Sequence, residues 1–269
     1  MPRTAPTPSA QTEVALPGLD KKDWIAGLEK GLSIIETFDD AHPRMTASQA
    51  GERCGMTRTA ARRYLLTLQY LGYVATDGKL FWLTPRVLRL GQSYLESARL
   101  PRIVQPFLQR VTAGTQEIAY VCVMDGDDIV YIARNGTNRT MNTGYVLGAR
   151  VPAQVTAAGL LLLALSDAAW VEHWQDTQVL KAYTSHTITS KERLRIELAR
   201  VRAQGYAVID QEVELGLRSI AVPVLNARGK VEAALNFGLP ARGEPLQSVV
   251  DHYLPAMLRV QTELRRVLR

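Results

Sequence analysis

Between positions 20 and 83 the apolar residues recur at helical spacing in short segments, and then alternate in a last β-prone stretch. From Gly27 to Phe38, Leu28, Leu32, Ile35 and Phe38 share one face, which predicts a first helix. A polar loop, DDAHPRM, follows with Pro43 as its breaker. Thr46 with Gln49 three residues on is a capping box. The helix it opens turns Ala47, Ala50 and Cys54 inward and stops at Gly55, which suits a left-handed C-terminal position. Thr57 caps a third helix, running to about Leu71 and closed by Gly72. YVATDGKLFWL then predicts a hairpin with Asp77-Gly78 as a two-residue turn. Thr84-Pro85 opens a further helix through Leu88, Gly91 and Leu95, which Leu100-Pro101 ends or kinks.

Beyond Pro101, strand and helix patterns mix. Ile118 to Met124 and Ile129 to Ile132 are predicted strands around the turn DGDD, and Met141 to Val146 a further strand. Val155 to Leu165 is apolar all round and predicts a buried helix; Lys191 to Gln204 predicts an amphipathic helix ending at Gly205. Tyr206 to Ile209, Ser219 to Leu225 and Val231 to Phe237 are predicted strands, the last two joined by the turn NARG. Pro245 to Arg269 is a closing helix interrupted by Pro255. The expected fold is α+β: a leader (1–19), a winged helix-turn-helix domain (20–83), a linker helix (84–100) and a C-terminal α+β domain (101–269).

The length of 269 residues suits two domains, and 46% apolar with 22% charged residues is ordinary globular composition. The net charge of +6 permits nucleic acid or anionic lipid as partner, so its location matters more than its sum. Cys54 and Cys122 fall in different expected domains, which argues against a mutual disulfide and suits a reducing cytoplasm. The longest apolar run, Ala157 to Leu165, is too short to span a bilayer, and no membrane partner is expected. The N-terminus, with Pro2, Pro6, Pro8 and Pro17 among small polar residues, is expected to be disordered and lacks a signal-peptide pattern. His42, His173, His186 and His252 show no metal-ligand spacing, so neither metal nor cofactor is expected.

Charge placement within the helix-turn-helix is informative. In the second helix of the pair, Ala61, Tyr64, Leu65, Leu68 and Leu71 form an apolar stripe, while Thr59, Arg62 and Arg63 point the other way and Arg58 flanks the first turn. A recognition helix needs this layout: its back anchors in a core while its N-terminal half offers guanidinium and hydroxyl groups to bases and phosphates. No acidic residue lies between Glu52 and Asp77, a stretch that also holds Arg53. Thr57, Arg58, Thr59, Arg62 and Arg63 are therefore candidate DNA contacts, with Lys79 reaching a phosphate from the wing. A basic face alone is more often a solvated surface; the cap, turn glycine, Arg-rich helix and Asp-Gly wing in one order favour DNA. Leu66 lies towards the same side and has no account at this level.

In the C-terminal half, alternation puts Ser219, Ala221 and Pro223 on one side of a strand and Ile220 and Val222 on the other. Ala234, Asn236 and Gly238 share a face of the next strand. Small and polar residues on matching faces leave room and hydrogen-bonding groups for a ligand. The start of the 155–165 helix offers backbone N–H groups to a carboxylate. Equally, Ser219 and Asn236 could satisfy each other or the sheet edge, and Asp210 could cap a turn. Arg218 points away from Ser219 and is not assigned a ligand role.

GLEKGLSIIETF, TASQAGERCGMTRTAARRYLLTLQYLGYV and LTPRVLRLG resemble the DNA-binding half of IclR-type transcriptional regulators. VPAQVTAAGLLLLA, GYAVIDQEVELGLRSIAVPV and VEAALNFGLP resemble the family's C-terminal half, so the likeness runs from about Asp23 to the C-terminus. NTGYVLGARVPA is similar to the PcaR/PcaU/PobR subgroup, whose members respond to aromatic acids or their breakdown products. The resemblance implies a GAF-like effector-binding domain with its ligand at the Ala157-Ala158 backbone and near Asp210, Ser219 and Asn236. It implies a homo-oligomer (dimer or dimer of dimers) on a palindromic operator, with RNA polymerase as a further candidate partner. It points to an activator of aromatic-acid catabolism, of the 4-hydroxybenzoate or protocatechuate type. The alternatives are a repressor answering a different small carboxylic acid, an enzyme with an accessory winged domain, and an interaction scaffold. Against an enzyme, the dinucleotide, phosphate-loop, nucleophile-elbow and zinc-protease motifs are all absent. Against a scaffold stands the arginine-rich, acid-free helix face.

Overall fold

Caps and breakers in the sequence set most of the element boundaries in the structure, a computed structural model that describes residues 20–136 and 145–269, the Lys21 side chain excepted. The expected leader (1–19) and residues 141–144 of the expected strand at Met141 to Val146 lie outside the described residues; Tyr145 and Val146 are not in a strand. The chain divides between Tyr94 and Leu95 into two compact units.

In the first unit, helices α1 (Ala26–Glu36), α2 (Ala47–Arg53) and α3 (Arg58–Tyr70) pack with the hairpin β1 (Val74–Thr76) and β2 (Phe81–Leu83). The capping box at Thr46 forms with both of its bonds. Ile34, Met45, Ala50, Ala61, Leu65, Val74 and Phe81 are core residues. α1 turns Ile34 inward and leaves Leu28 and Leu32 61% and 45% exposed, because the helix carries adjacent apolar stripes and the small core accepts only one. The wing also departs from expectation. Thr76 pairs with Phe81, so the loop has four residues instead of two. The Asp77 carboxylate accepts from the Lys79 and Leu80 amides at 2.9 and 2.7 Å, an Asx turn that replaces the tighter geometry.

Thr84 caps a short 3-10 turn, Pro85–Val87, that leads into α4 (Leu88–Ser97). The helical path breaks at Ala98, ahead of the expected Leu100-Pro101, and α5 (Arg99–Thr115) begins at once. α5 escaped prediction because Pro101 and Pro106 look like breakers. Pro101 sits in the first turn, where a missing N–H costs no intrahelical bond.

The second unit is built on an antiparallel six-stranded sheet in the order β5-β4-β3-β8-β7-β6. Its strands are β3 (Ile118–Asp125), β4 (Asp128–Asn135), β5 (Arg150–Pro152), β6 (Ala207–Asp210), β7 (Leu217–Leu225) and β8 (Val231–Pro240). One face, carrying Tyr120, Cys122, Ala221 and Ala234, packs on α6 (Ala157–Leu165), α7 (Ala168–Thr177) and α8 (Lys191–Gln204). The other, carrying Val121, Ile220, Val222 and Phe237, packs on α5 and α9 (Leu246–Val267), which runs unbroken through Pro255. α7, unforeseen in the sequence, is capped by Asp167 and anchored by Val171 and Trp174. Neither cysteine forms a disulfide: Cys122 is fully buried in the sheet and Cys54 half-buried at the end of α2.

α6 is tightly packed against its surroundings. Leu160, Leu161 and Leu163 are fully buried, each contributing about 2 kcal/mol. Gly159 lies so near the preceding turn that a Cβ would fall within the Ala153 backbone. Gly159→Ala is expected to lower stability by about 3 kcal/mol, read as a fall in the melting midpoint by differential scanning calorimetry. A midpoint within a degree of wild type would refute this packing.

Candidate functional site

Two regions bring the predicted residues to a surface or a cavity. In the first unit, α2 and α3 cross at Gly51, where a Cβ would meet the Met56 carbonyl at 2.8 Å. Thr57 caps α3 through the Ala60 amide at 3.3 Å. Ala61, Leu65 and Leu68 then face inward, and Thr57, Arg58, Thr59, Arg62 and Arg63 stand exposed. Lys79 is exposed on the wing loop. Among the described residues, no carboxylate pairs with Arg58, Arg62, Arg63 or Lys79. Leu66 is 37% exposed on the same helix, and Leu71 leaves the expected stripe for solvent.

Arg53 differs from these arginines. Its guanidinium bonds the Asp39 carboxylate at 2.6 Å, the Thr37 carbonyl at 3.1 Å and the His42 ring at 3.1 Å, fastening α2 to the preceding loop. Asp39 is held below the usual carboxylate range, first by its bond to His42. Asp77, the acid nearest Lys79 in the wing, is likewise held low by the Leu80 and Lys79 amides. Arg44 is exposed and lies over the Trp82 ring at 4.2 Å, a wing-side cation that the sequence reading missed.

In the second unit, Ser219, Asn236 and Gly238 meet at a cavity between the sheet and the start of α6. The space it leaves open to the centre of a water-sized sphere is about 20 Å³. Tyr120, Tyr131, Tyr145, Thr156, Ile209, Val213 and Leu217 complete its lining. Tyr131 meets Tyr120 edge-on and stacks on Tyr145, both at 4.9 Å between centroids. Burial pushes all three phenols above their ordinary range, so they are neutral at physiological pH.

Ser219 and Asn236 do not satisfy each other. The register sets Ser219 opposite Gly238, and Asn236 opposite Ala221. The Ser219 hydroxyl accepts from the Ala157 amide at 3.4 Å, whereas Asn236 Oδ1 is buried without a partner. Ala157 thus touches a cavity-lining side chain through its backbone amide and does not itself line the cavity. Ala158 is buried in the first turn of α6 and does not line it. Asp210 is not brought in either. Ile209 faces the cavity, so its neighbour points to the opposite side, where Arg218 grips the Asp210 carboxylate at 2.7 and 3.1 Å. That grip holds Asp210 below the ordinary carboxylate range, and Arg218 also donates to the Glu244 carbonyl at 2.7 Å. Tyr120 and Tyr131 were missed because they converge only through the β3–β4 pairing, which contains a bulge at Val121/Cys122.

The loop between β6 and β7 closes one wall with Val213. Thr184 and Thr187 hydroxyls donate to the Gln211 and Glu212 carbonyls at 2.7 and 2.6 Å, and Gln211 holds a left-handed φ of 63°. Burial, first of all, pushes the Glu212 carboxyl up to about 7; Glu197 and Asp210 add to this, while the Ile188 amide and Arg193 oppose it. Its Oε2 is buried without a partner. The native state therefore holds a proton that the unfolded chain releases near pH 4.3, and stability falls as pH rises from about 4.3 to 7. Glu212→Gln is expected to exceed wild type in stability at pH 8 by on the order of 3 kcal/mol and to match it below pH 4. Urea denaturation at both pH values checks this; an advantage that does not change with pH would disprove it.

Among the described residues, no cluster of His, Cys, Asp or Glu could hold a metal, and no helix is long and apolar enough to cross a membrane.

Comparison with known proteins matches residues 27–78 to the IclR helix-turn-helix domain and residues 92–248 to the bacterial transcriptional regulator IclR C-terminal domain. The p-hydroxybenzoate hydroxylase transcriptional activator of Acinetobacter baylyi is 41% identical over 252 residues, covering 92% of this chain and 93% of the relative. The crystal structure of a transcriptional regulator from Rhodococcus sp. RHA1 aligns with a TM-score of 0.77 at 39% identity, covering 91% of this chain and 98% of that one. The inducer-binding domain of PobR from Acinetobacter, a double mutant in complex with 3-hydroxybenzoic acid, aligns with a TM-score of 0.60 at 35% identity. That alignment covers 64% of this chain and all (100%) of the PobR domain.

Proposed function

The chain belongs to the IclR family of bacterial transcriptional regulators, and from that premise we propose that it is a cytoplasmic activator of aromatic-acid catabolism, switched by a single-ring aromatic acid of the 4-hydroxybenzoate or protocatechuate type. The observation that carries DNA binding is the outward set Arg58, Arg62 and Arg63 on α3, cationic and without carboxylate partners among the described residues. Thr57 and Thr59 add hydroxyls beside them, and Lys79 a charge on the wing. α3 lies in the major groove, and the exposed cations neutralise phosphates.

The division of labour follows the sequence boundaries: residues 20–83 bind DNA, 84–100 connect, and 101–269 take the effector. The cavity at Ser219 and Asn236, with the Ala157 amide of α6 beside it, is the effector site. A palindromic operator calls for a homo-oligomer, a dimer or a dimer of dimers. The exposed apolar stripe of Trp24, Ile25, Leu28 and Leu32 supports that assembly. Effector shifts the regulator between states by binding one of them more tightly, and RNA polymerase is the partner through which the active state works. The aromatic-acid assignment draws on the two relatives named for p-hydroxybenzoate and 3-hydroxybenzoic acid, together with the tyrosine-lined cavity.

Arg62→Ala and Arg63→Ala should each weaken operator binding about tenfold to a hundredfold, with the melting temperature unchanged and a shallower salt dependence. Electrophoretic mobility shifts at two salt concentrations read both quantities; full operator affinity in both variants would remove α3 as the reading helix. Ser219→Leu should remain folded and bind operator yet give no transcriptional response to aromatic acid in a reporter assay. A normal dose–response in that variant would take Ser219 out of the effector site.

A further inference from the structure

Among the described residues, the side chains lining the cavity include no lysine, arginine or histidine, yet an aromatic acid brings a negative charge that must be met. Among the described residues, a cation stands beside it. Arg134 on β4 is the register partner of Tyr120, so the two side chains share the cavity face of the sheet. The Arg134 guanidinium lies 5.9 Å from the Tyr120 ring centroid, and its Nε is buried without a hydrogen-bond partner among the described residues. Tyr120 is in turn the register partner of Asn236, whose buried Oδ1 also lacks a donor. Arg134, Tyr120 and Asn236 therefore form one row across β4, β3 and β8. The outer two are separated by two strand spacings, about 10 Å between Cα atoms. Among the described residues, the row ends in a guanidinium with an unpaired Nε on one side and an unpaired acceptor on the other, with an aromatic ring between them. The α6 terminus is the weaker anchor for a carboxylate, since the Ala157 amide already donates to Ser219.

We propose that the Arg134 guanidinium anchors the effector's carboxylate and that Asn236 Oδ1 accepts a hydrogen bond from its ring hydroxyl. This deepens, and rests on, the aromatic-acid function above. It defines the ligand class as a single-ring hydroxylated aromatic carboxylate whose acid and hydroxyl lie at opposite ends of the ring. A half-buried guanidinium whose Nε is left unpaired beside a neutral analogue, or a buried acceptor left without a donor, is what separates these ligands from their close relatives.

Isothermal titration calorimetry on the full chain tests it with 4-hydroxybenzoate, its uncharged amide 4-hydroxybenzamide, and benzoate. The wild type should prefer 4-hydroxybenzoate to the amide, and to benzoate, by about tenfold to a hundredfold. Arg134→Gln should abolish the preference over the amide while keeping the preference over benzoate. Arg134→Lys should recover part of the first. Asn236→Leu should do the reverse of Arg134→Gln, losing only the preference over benzoate. Persistence of the acid-over-amide preference in Arg134→Gln would overturn the anchor while leaving the aromatic-acid function standing. Binding of none of the three probes by wild type would overturn both together. If Arg134→Gln does not fold, the wild-type comparison decides: equal affinity for acid and amide refutes the anchor.

Discussion

Each strand in the middle of the second unit's sheet is covered by helices on both sides, so a side chain leaving it has no water to turn to. It must be apolar, be paired, or face a cavity. Most positions take the first course, as Val121, Ile220, Val222 and Phe237 do against α5 and α9. Arg218 takes the second, fixed between Asp210 and Glu244. Asn236 and the Nε of Arg134 do neither. In a dry interior an unmade hydrogen bond costs about 1–3 kcal/mol, so polar atoms left idle on one face of one row mark the place where something else is meant to bind.

The first unit obeys the opposite constraint. Its core is small and filled by residues such as Ile34, Leu65 and Phe81, which leaves α3 half in solvent. Cations that would be costly inside cost little there, and they are kept free by a distribution of acids that avoids them. Arg53 marks the boundary between the two uses of charge: one turn before α3, the same residue type is consumed in holding the fold together. The charge of a side chain does not say which use it serves; its distance to the nearest carboxylate does.

Legibility in the sequence followed the range of the interaction. Caps act within four residues, and the predicted ones at Thr46, Thr57 and Thr84 are present, as is the stop at Gly205. The exposed face of α3 was readable for the same reason, since helical periodicity is local. Errors arose where a distant partner decides. Which stripe of α1 is buried depends on α3, and the true wing loop depends on a side-chain bond from Asp77. The cavity was half legible: alternation within β7 and β8 gave Ser219 and Asn236, but Tyr120, Tyr131 and Arg134 emerge only once β3 is known to sit between β4 and β8. Asp210, suggested by family likeness, lies one residue out of phase with the cavity wall.

The two cysteines have a practical consequence. Burial raises both thiols above their ordinary range, and Cys122 is sealed within the sheet while Cys54 is half covered at the end of α2. Native thiolate is therefore scarce at neutral pH, and a maleimide fluorophore or nitroxide would react far faster with a cysteine introduced on the outer surface than with either. The natural chain is thus a ready background for spectroscopic distance measurements, with no need to strip out its own sulfur first.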